Sequence, residues 1–524
     1  MTGRMGITKK VFAAVMALAM VLTIITVPAE AKGKIKLSKK KVTIVTGKSV
    51  TLKVKGTKKK AKWYVSGRKL VTIKTKGKKK LKAVIKAKKK AGKCYVKVKI
   101  GKKTLKCKVI VKAKKKKIPP EEFKEKALSG TSKDRTAEFT ARTVSGKETD
   151  AVFRKAMTAA SLDLLKYLSA NEENKGRNIL ISPDSILTAM AMVENGASGN
   201  TLTQMEAAFG GVQLDDFDAY LYTLNKRLTK SKNVKYHLAD SIWYKENEIS
   251  VKDEFLRKNV DYFSAQIFEA PFSDYTLSDI NNWVYNNTRG MIPTLLKKLD
   301  SDTVMLLINA IAFESEWQDK YHASEKKPFK CENGAVQTAN MLQGTEDTYV
   351  KIGGADGFIK PYAGSEIAFL GLETPKNKTV DEFLQSLTAD DFVNGYNGKE
   401  TGKYRVITKM PEFKYDYDTS LVDSLKSIDI TDAFDQNSAD FSGIAELNPN
   451  ENLFINDVIH KTHIELDKNG TKAAAVTGVI VDKASAVYPT KPEKNVNLDH
   501  PFVYAIIDTE SGIPLFIGTV KTLG

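Results

Sequence analysis

The sequence predicts a large α+β domain preceded by a small all-β sandwich. Three observations carry this. Between residues 32 and 117, Lys alternates with Val, Ile and Leu at a period of two, with Gly turns between the runs. From Ala151 the apolar period becomes helical, then gives way to long strand-like runs up to the end of the 524-residue chain. Charge divides the chain at the same place. The whole carries +23, of which 1–31 contribute +2 and 32–117 contribute +37, from 36 Lys, one Arg and no Asp or Glu; this leaves −16 on 118–524. A basic module is joined to an acidic one.

Residues 1–31 read as an export signal. Arg4, Lys9 and Lys10 precede the apolar stretch Val11 to Val27, and Ala29-Glu30-Ala31 follows Pro28, so cleavage after Ala31 is expected. An uncleaved membrane anchor is the alternative. No Cys lies near this site, which argues against a lipid anchor, and a secreted, extracellular bacterial protein, with association to the cell surface as an option, is the expectation.

Residues 32–117 contain "KVTIVTG", "VTLKVKG", "KWYVSG", "LKAVIKA", "CYVKVKIG" and "LKCKVIVKA". These short alternating strands predict a β-sandwich with Lys outward and the aliphatic residues inward. The module resembles the bacterial Ig-like domains of surface and secreted proteins. A Lys-only outer face suits a polyanion or cell-wall polymer; the alternative is a solubilising spacer. Specific nucleic-acid binding is not expected, because the protein reads as exported and Arg and exposed aromatics are scarce. Of the three cysteines, Cys94 and Cys107 are placed either as a cross-strand disulfide or as small buried residues, with Cys331 left over.

Residues 118–150 are polar, begin near the Pro119-Pro120 pair and show no sustained apolar period, which predicts a linker. In 151–524, "FRKAMTAASLDLLKYLSAN" places Met157, Ala160, Leu164 and Leu168 on one helix face, and "SILTAMAMVENGASGNTLTQMEAAF" gives two helices broken at Asn195-Gly196. The runs "YHLADSIWY", "VMLLINAIAF", "YRVITKMPEFKYDY" and "HKTHIELD" read as strands, and "PFVYAIIDTESGIPLFIGTV" as a hairpin.

Enzyme machinery is not legible. There is no GxSxG, HExxH, P-loop or dinucleotide glycine fingerprint, no CxxC, and only five His, of which His460 and His463 fall on opposite faces of one strand. No cofactor or metal is expected.

Five motifs then carry a resemblance. "NILISPDSILTAMAMVENGASGNTLTQM" (178–205), "INNWVYNNTRGMI" (280–292), "LINAIAFESEWQDKY" (307–321), "VIHKTHIELDKNGTKAAAVT" (458–477) and "HPFVYAIIDTESGIPLFIGTV" (500–520) resemble the serpin family, in order and at its spacing. The resemblance implies three β-sheets, eight or nine helices and an exposed reactive-centre loop that a serine protease cleaves. The cleaved loop then enters the central sheet as a new strand and carries the acylated protease with it. It implies an irreversible, monomeric inhibitor rather than an enzyme. A non-inhibitory serpin that binds surfaces through its Lys-rich module is the competing reading.

The stretch after Asn469-Gly470 meets the demands of both a loop and a strand. One alternating face is Thr471, Ala473, Ala475, Thr477, Val479 and Val481; the other holds Lys472, Ala474, Val476, Gly478, Ile480 and Asp482. The first face is small, then β-branched, and uncharged. By the resemblance, Gly470, Thr471, Lys472, Ala473, Ala474, Ala475 and Thr477 form the hinge. Lys468 and Lys472 stand where the family usually has Glu. Family spacing from Gly470 places the scissile bond at Ala484-Ser485, with Lys483-Ala484 as the alternative; the first suits an elastase-like or subtilisin-like protease, the second a trypsin-like one. Ser182, Ser185, Asn309 and His460 fall on the family's polar shutter beneath the opening sheet, and Trp317 on the aromatic where the loop enters.

Overall fold

The computed structural model describes residues 34–112, 123–230, 235–321, 324–364, 366–448, 451–471 and 491–523. The export signal and, within the hinge and scissile region, Lys472, Ala473, Ala474, Ala475, Thr477, Lys483, Ala484 and Ser485 lie outside the described residues. The chain forms two units, divided at Glu121 and Glu122.

Among its described residues the first unit holds eight strands: β1 (Lys36–Leu37), β2 (Lys41–Val45), β3 (Ser49–Lys55), β4 (Lys62–Val65), β5 (Val71–Lys76), β6 (Lys82–Ala87), β7 (Gly92–Ile100) and β8 (Lys103–Lys112). They make two four-stranded sheets, ordered β1-β3-β6-β5 and β2-β8-β7-β4. Leu52, Ala83 and Ile85 from one sheet share a core with Val96, Cys107 and Val109 from the other. Alternation produces this directly: along β7, Cys94, Val96, Val98 and Ile100 are buried while Lys93, Tyr95, Lys97 and Lys99 are exposed. Cys94 pairs with Val109 and Cys107 with Val96, so the two thiols are diagonal neighbours. A disulfide needs a closer Cβ approach than a diagonal pair provides. Both cysteines are free and buried, and burial pushes both thiols up. Tyr64 and Tyr95 are 51% and 44% exposed, so the scarcity of exposed aromatics expected from the sequence does not hold here.

In the second unit, nine α-helices occur among the described residues. The helix Ala151–Ala170 buries Met157, Ala160, Leu164 and Leu168, and Pro183–Glu194 and Gly199–Ala208 flank the predicted break. A seven-stranded sheet runs in the order Phe413–Ser420, Ile459–Asp467, Gly470–Thr471, Met305–Glu316, Lys235–Lys245, Gln266–Ala270, Lys133–Asp134. The other large sheet among the described residues is a single nine-stranded one, in which the 17-residue strand Val336–Ile352 pairs through its first half with Ser324–Lys330 and through its end with Ala355–Pro361. The buried helix Pro183–Glu194 lies between the seven-stranded sheet and the C-terminal hairpin, Phe502–Asp508 with Pro514–Val520.

The segment expected to be a linker is docked on this unit from residue 123 onward. Lys133–Asp134 adds an edge strand to Gln266–Ala270. Asp279, fully buried, accepts from the Ser129 N–H at 2.5 Å and from the Ser129 and Ser132 hydroxyls at 2.7 and 2.8 Å. The Phe123 ring stacks on Tyr285. Polar anchors of this kind leave no apolar period in the sequence, which is why it reads as a linker.

Candidate functional site

The site is built around the strands Met305–Glu316 and Ile459–Asp467. They run in the same direction, and Gly470–Thr471 sits between them, antiparallel to both. Thr471 pairs with Ser315 on one side and Leu466 on the other, and Gly470 with Glu316 and Asp467. Among the described residues no other ladder joins the two flanking strands. An added antiparallel strand satisfies backbone groups on both facing edges at once.

Local chemistry fixes the start of that strand. The Asp467 carboxylate accepts from the N–H groups of Asn469 at 2.6 Å and Gly470 at 3.3 Å, an Asx turn that reverses the chain. Gly470 has φ +153°, and a Cβ there would lie 2.0 Å from the Ser315 carbonyl oxygen. Thr471 is buried, and its hydroxyl is 2.6 Å from that of Tyr362. Thr471, the first residue of the small uncharged face identified in the sequence, is turned inward, and the Lys468 side chain is exposed.

Trp317 closes this end of the sheet. Its Nε1 donates to the Asp467 carbonyl at 2.9 Å, its backbone N–H to Asn469 at 2.8 Å, and its ring stacks on Tyr362 at 4.4 Å. Beside it lies a buried ion pair, Lys360 with Glu346 at 2.9 Å. Burial pushes the Glu346 carboxyl up to about 7 despite the adjacent ammonium. Neither residue is legible from sequence, because their meeting depends on how the strands Val336–Ile352 and Ala355–Pro361 pair.

Midway down, the sequence-predicted polar residues come together. Ser182 caps the helix Pro183–Glu194, accepting from the Ser185 N–H at 3.4 Å and donating to the Leu515 carbonyl at 2.8 Å. Its own N–H donates to His460 Nε2 at 3.1 Å. An accepting nitrogen requires a neutral ring, and burial pushes His460 down to about 4. The Ser185 hydroxyl donates to the Asn309 Oδ1, and Asn309 Nδ2 donates to Asp240 at 2.8 Å.

Two buried acids extend this network beyond the sequence reading. Asp240 faces Asn309 across the ladder and is pushed up to about 7, mainly by burial. Asp184 accepts from the Tyr236 hydroxyl at 2.5 Å and is pushed up to about 6, again by burial. The only sequence signal for Asp240 is an acid inside the apolar run "YHLADSIWY". Chemically the arrangement is a buried polar cluster in which hydrogen bonds link the helix Pro183–Glu194 to strands on both sides of Gly470–Thr471.

A serpin (serine protease inhibitor) family model matches residues 155–522. The chain belongs to the serpin family. It is 30% identical to human leukocyte elastase inhibitor over 388 residues, covering 69% of this chain and 97% of that protein. It is also 30% identical to Iripin-8 of Ixodes ricinus, covering 69% and 91%. Among solved structures, the thermophilic serpin tengpin in its native state is 38% identical with a TM-score of 0.69, covering 75% of this chain and all of tengpin. The latent state of tengpin gives a TM-score of 0.63 at 35% identity, covering 72% of this chain and all of that one. Membership of a protease-inhibitor family makes this serpin an inhibitor-type protein and not an enzyme.

Proposed function

We propose that this serpin is an exported, irreversible suicide-substrate inhibitor of serine proteases. The protease cleaves the loop at Ala484-Ser485, and the hinge then extends from Thr471 into the central sheet before the acyl-enzyme hydrolyses. The single observation that carries this reading is Gly470–Thr471, paired with both flanking strands, which no other ladder joins among the described residues. The small side chains Ala473, Ala475 and Thr477 continue the face that Thr471 buries. An elastase-like or subtilisin-like target fits the small residue at 484, and the likeness to leukocyte elastase inhibitor supports that choice; a trypsin-like target would use Lys483 instead. The protein acts as a monomer outside the bacterial cell. Its Lys-rich unit, of the bacterial Ig-like kind, holds it to a polyanion such as a cell-wall polymer.

Incubation with pancreatic elastase and, separately, with trypsin tests the inhibitory reading. A detergent-resistant complex with release of a fragment beginning at Ser485 is expected with elastase. A fragment beginning at Ala484, formed with trypsin, moves the bond by one residue. Cleavage with no complex in either case refutes the inhibitor and favours a surface-binding serpin.

A further inference from the structure

The Lys-rich unit carries only three aromatic residues among 34–112, namely Trp63, Tyr64 and Tyr95. Trp63 is partly buried against the core, with its Nε1 donating to the Lys80 carbonyl at 2.7 Å. Both tyrosines are on the outer face of the sheet β2-β8-β7-β4, and both are exposed. The register sets them diagonally. Tyr64 on β4 pairs with Lys97 on β7, and Tyr95 lies two residues before Lys97 on the same face. Diagonal side chains of this length are within reach of one another.

Lysines surround the two rings. Lys97 pairs onward with Lys106, and Tyr95 pairs with Lys108, which pairs with Lys41. Lys62 pairs with Lys99 one step along the strands. None of these ammonium groups has an ion pair among the described residues, and residues 32–117 contain no acid. Three directly opposed Lys pairs on one face destabilise the sheet by itself. Successive lysines repeat at roughly 7 Å along a strand and about 5 Å across strands, a spacing at which a polymer of charged rings meets both the cations and the aromatic faces.

The opposite sheet differs. Lys53 pairs with Lys82, which pairs with Lys76, and no exposed aromatic accompanies them. The two faces are therefore alike in charge and unlike in chemistry.

We infer that the outer face of β2-β8-β7-β4 is a binding platform for an acidic polysaccharide, with Tyr64 and Tyr95 under sugar rings and the adjacent lysines on carboxylates. This rests on the reading of the Lys-rich unit as polyanion-binding and names the ligand class and the face. An aromatic ring with a polar tip suits a pyranose, which presents C–H groups on its flat face and hydroxyls at its edge. Lysine acts as a point charge that does not demand the bidentate geometry of Arg, and the near absence of Arg favours carboxylates over the phosphates and base edges of nucleic acid.

The full-length secreted chain is titrated with polygalacturonate, with inorganic polyphosphate as an anion without rings, and with single-stranded DNA. Wild type is expected to bind polygalacturonate with an affinity that falls steeply with salt. The double variant Tyr64→Ala/Tyr95→Ala should lose about ten-fold for polygalacturonate and nothing for polyphosphate. Lys97→Glu/Lys106→Glu should lose both, and more than Lys53→Glu/Lys76→Glu, which changes the charge equally on the other face. Equal losses from the two charge variants, or unchanged polygalacturonate binding in the tyrosine variant, overturn the platform while leaving a general polyanion reading intact. No binding to any of the three polymers overturns that broader reading too. Tighter binding to DNA than to polygalacturonate replaces the saccharide with nucleic acid.

Discussion

The hydroxyls of Thr471 and Tyr362 lie 2.6 Å apart inside the serpin unit. Thr471 belongs to the two-residue strand Gly470–Thr471, paired with Ser315 on one side and Leu466 on the other, so this bond holds its side chain inside the sheet. Thr471→Arg would bury an unpaired charge against Tyr362, at a cost on the order of several kcal/mol. Insertion slows while hydrolysis of the acyl-enzyme does not. The expected outcome is a shift from detergent-resistant complex to cleaved, released serpin, read by gel densitometry. Lys472→Glu, on the alternate face, should leave the complex yield unchanged. Equal yields from wild type and Thr471→Arg would contradict the assignment of the buried face.

The shutter predicts a pH dependence. Asp240 is held protonated well above its ordinary value of 3.8, at about 7, because it is buried. The folded state therefore binds a proton that the unfolded chain has released over this interval, so the contribution of Asp240 is present below pH 3.8 and is lost as pH rises toward 7. His460 acts with the opposite sign: it is depressed from 6.5 to about 4, so its contribution is present above 6.5 and lost as pH falls toward 4. Asp240→Asn keeps an acceptor for Asn309 without the titration. Its thermal midpoint should match wild type near pH 4 and exceed it increasingly up to pH 7, with a plateau above. A constant difference across that range would show that Asp240 does not titrate there.

How much of this was legible in the sequence depended on the kind of interaction. The inward turn of Thr471 was readable because period-two alternation is a local property, while the rest of the hinge lies outside the described residues. Ser182, Ser185, Asn309 and His460 were readable through motif resemblance, and they do meet in space. Asp240 and the Lys360–Glu346 pair were not, since each depends on which strands lie side by side, and a single sequence does not encode that locally. The 123–150 segment was misjudged for a related reason. It is held by hydroxyls and backbone groups on Asp279, Asn286 and the edge of Gln266–Ala270, and such contacts look like an unstructured polar stretch. In the Lys-rich unit the alternation that buries Cys94 and Val96 also turns Tyr95 outward, so that exposure was available from the pattern.

Beside Trp317, Lys360 and Glu346 are only 4% and 7% exposed. Lys360→Met leaves an uncompensated carboxyl that burial already pushes up to about 7. Removing one partner of a buried pair costs about 3 kcal/mol or more, whereas replacing both with apolar groups is often tolerated. The single variant should lower the thermal midpoint, because it leaves one buried charge without its partner. Lys360→Met/Glu346→Leu should recover most of the midpoint. Failure of the double variant to recover would mean that the pair's role is geometric rather than electrostatic.

Asp279 gathers the 123–150 segment onto the serpin unit through one backbone and two hydroxyl donors. Asp279→Ala removes the acceptor from Ser129 and Ser132 at a fully buried position, a loss of about 2 kcal/mol or more by the cost of unsatisfied buried donors. The edge strand Lys133–Asp134 is short and depends on that anchor. Limited proteolysis should therefore cut the variant between 123 and 135 much faster than wild type. The Ser182–His460 bond is made wholly within other elements, so the shutter should be untouched and complex formation with elastase should persist at the wild-type yield. Protection of 123–135 equal to wild type would show that Phe123 on Tyr285 and the strand pairing suffice to hold the segment. Loss of complex yield together with the cleavage would instead tie the docked segment to opening of the sheet.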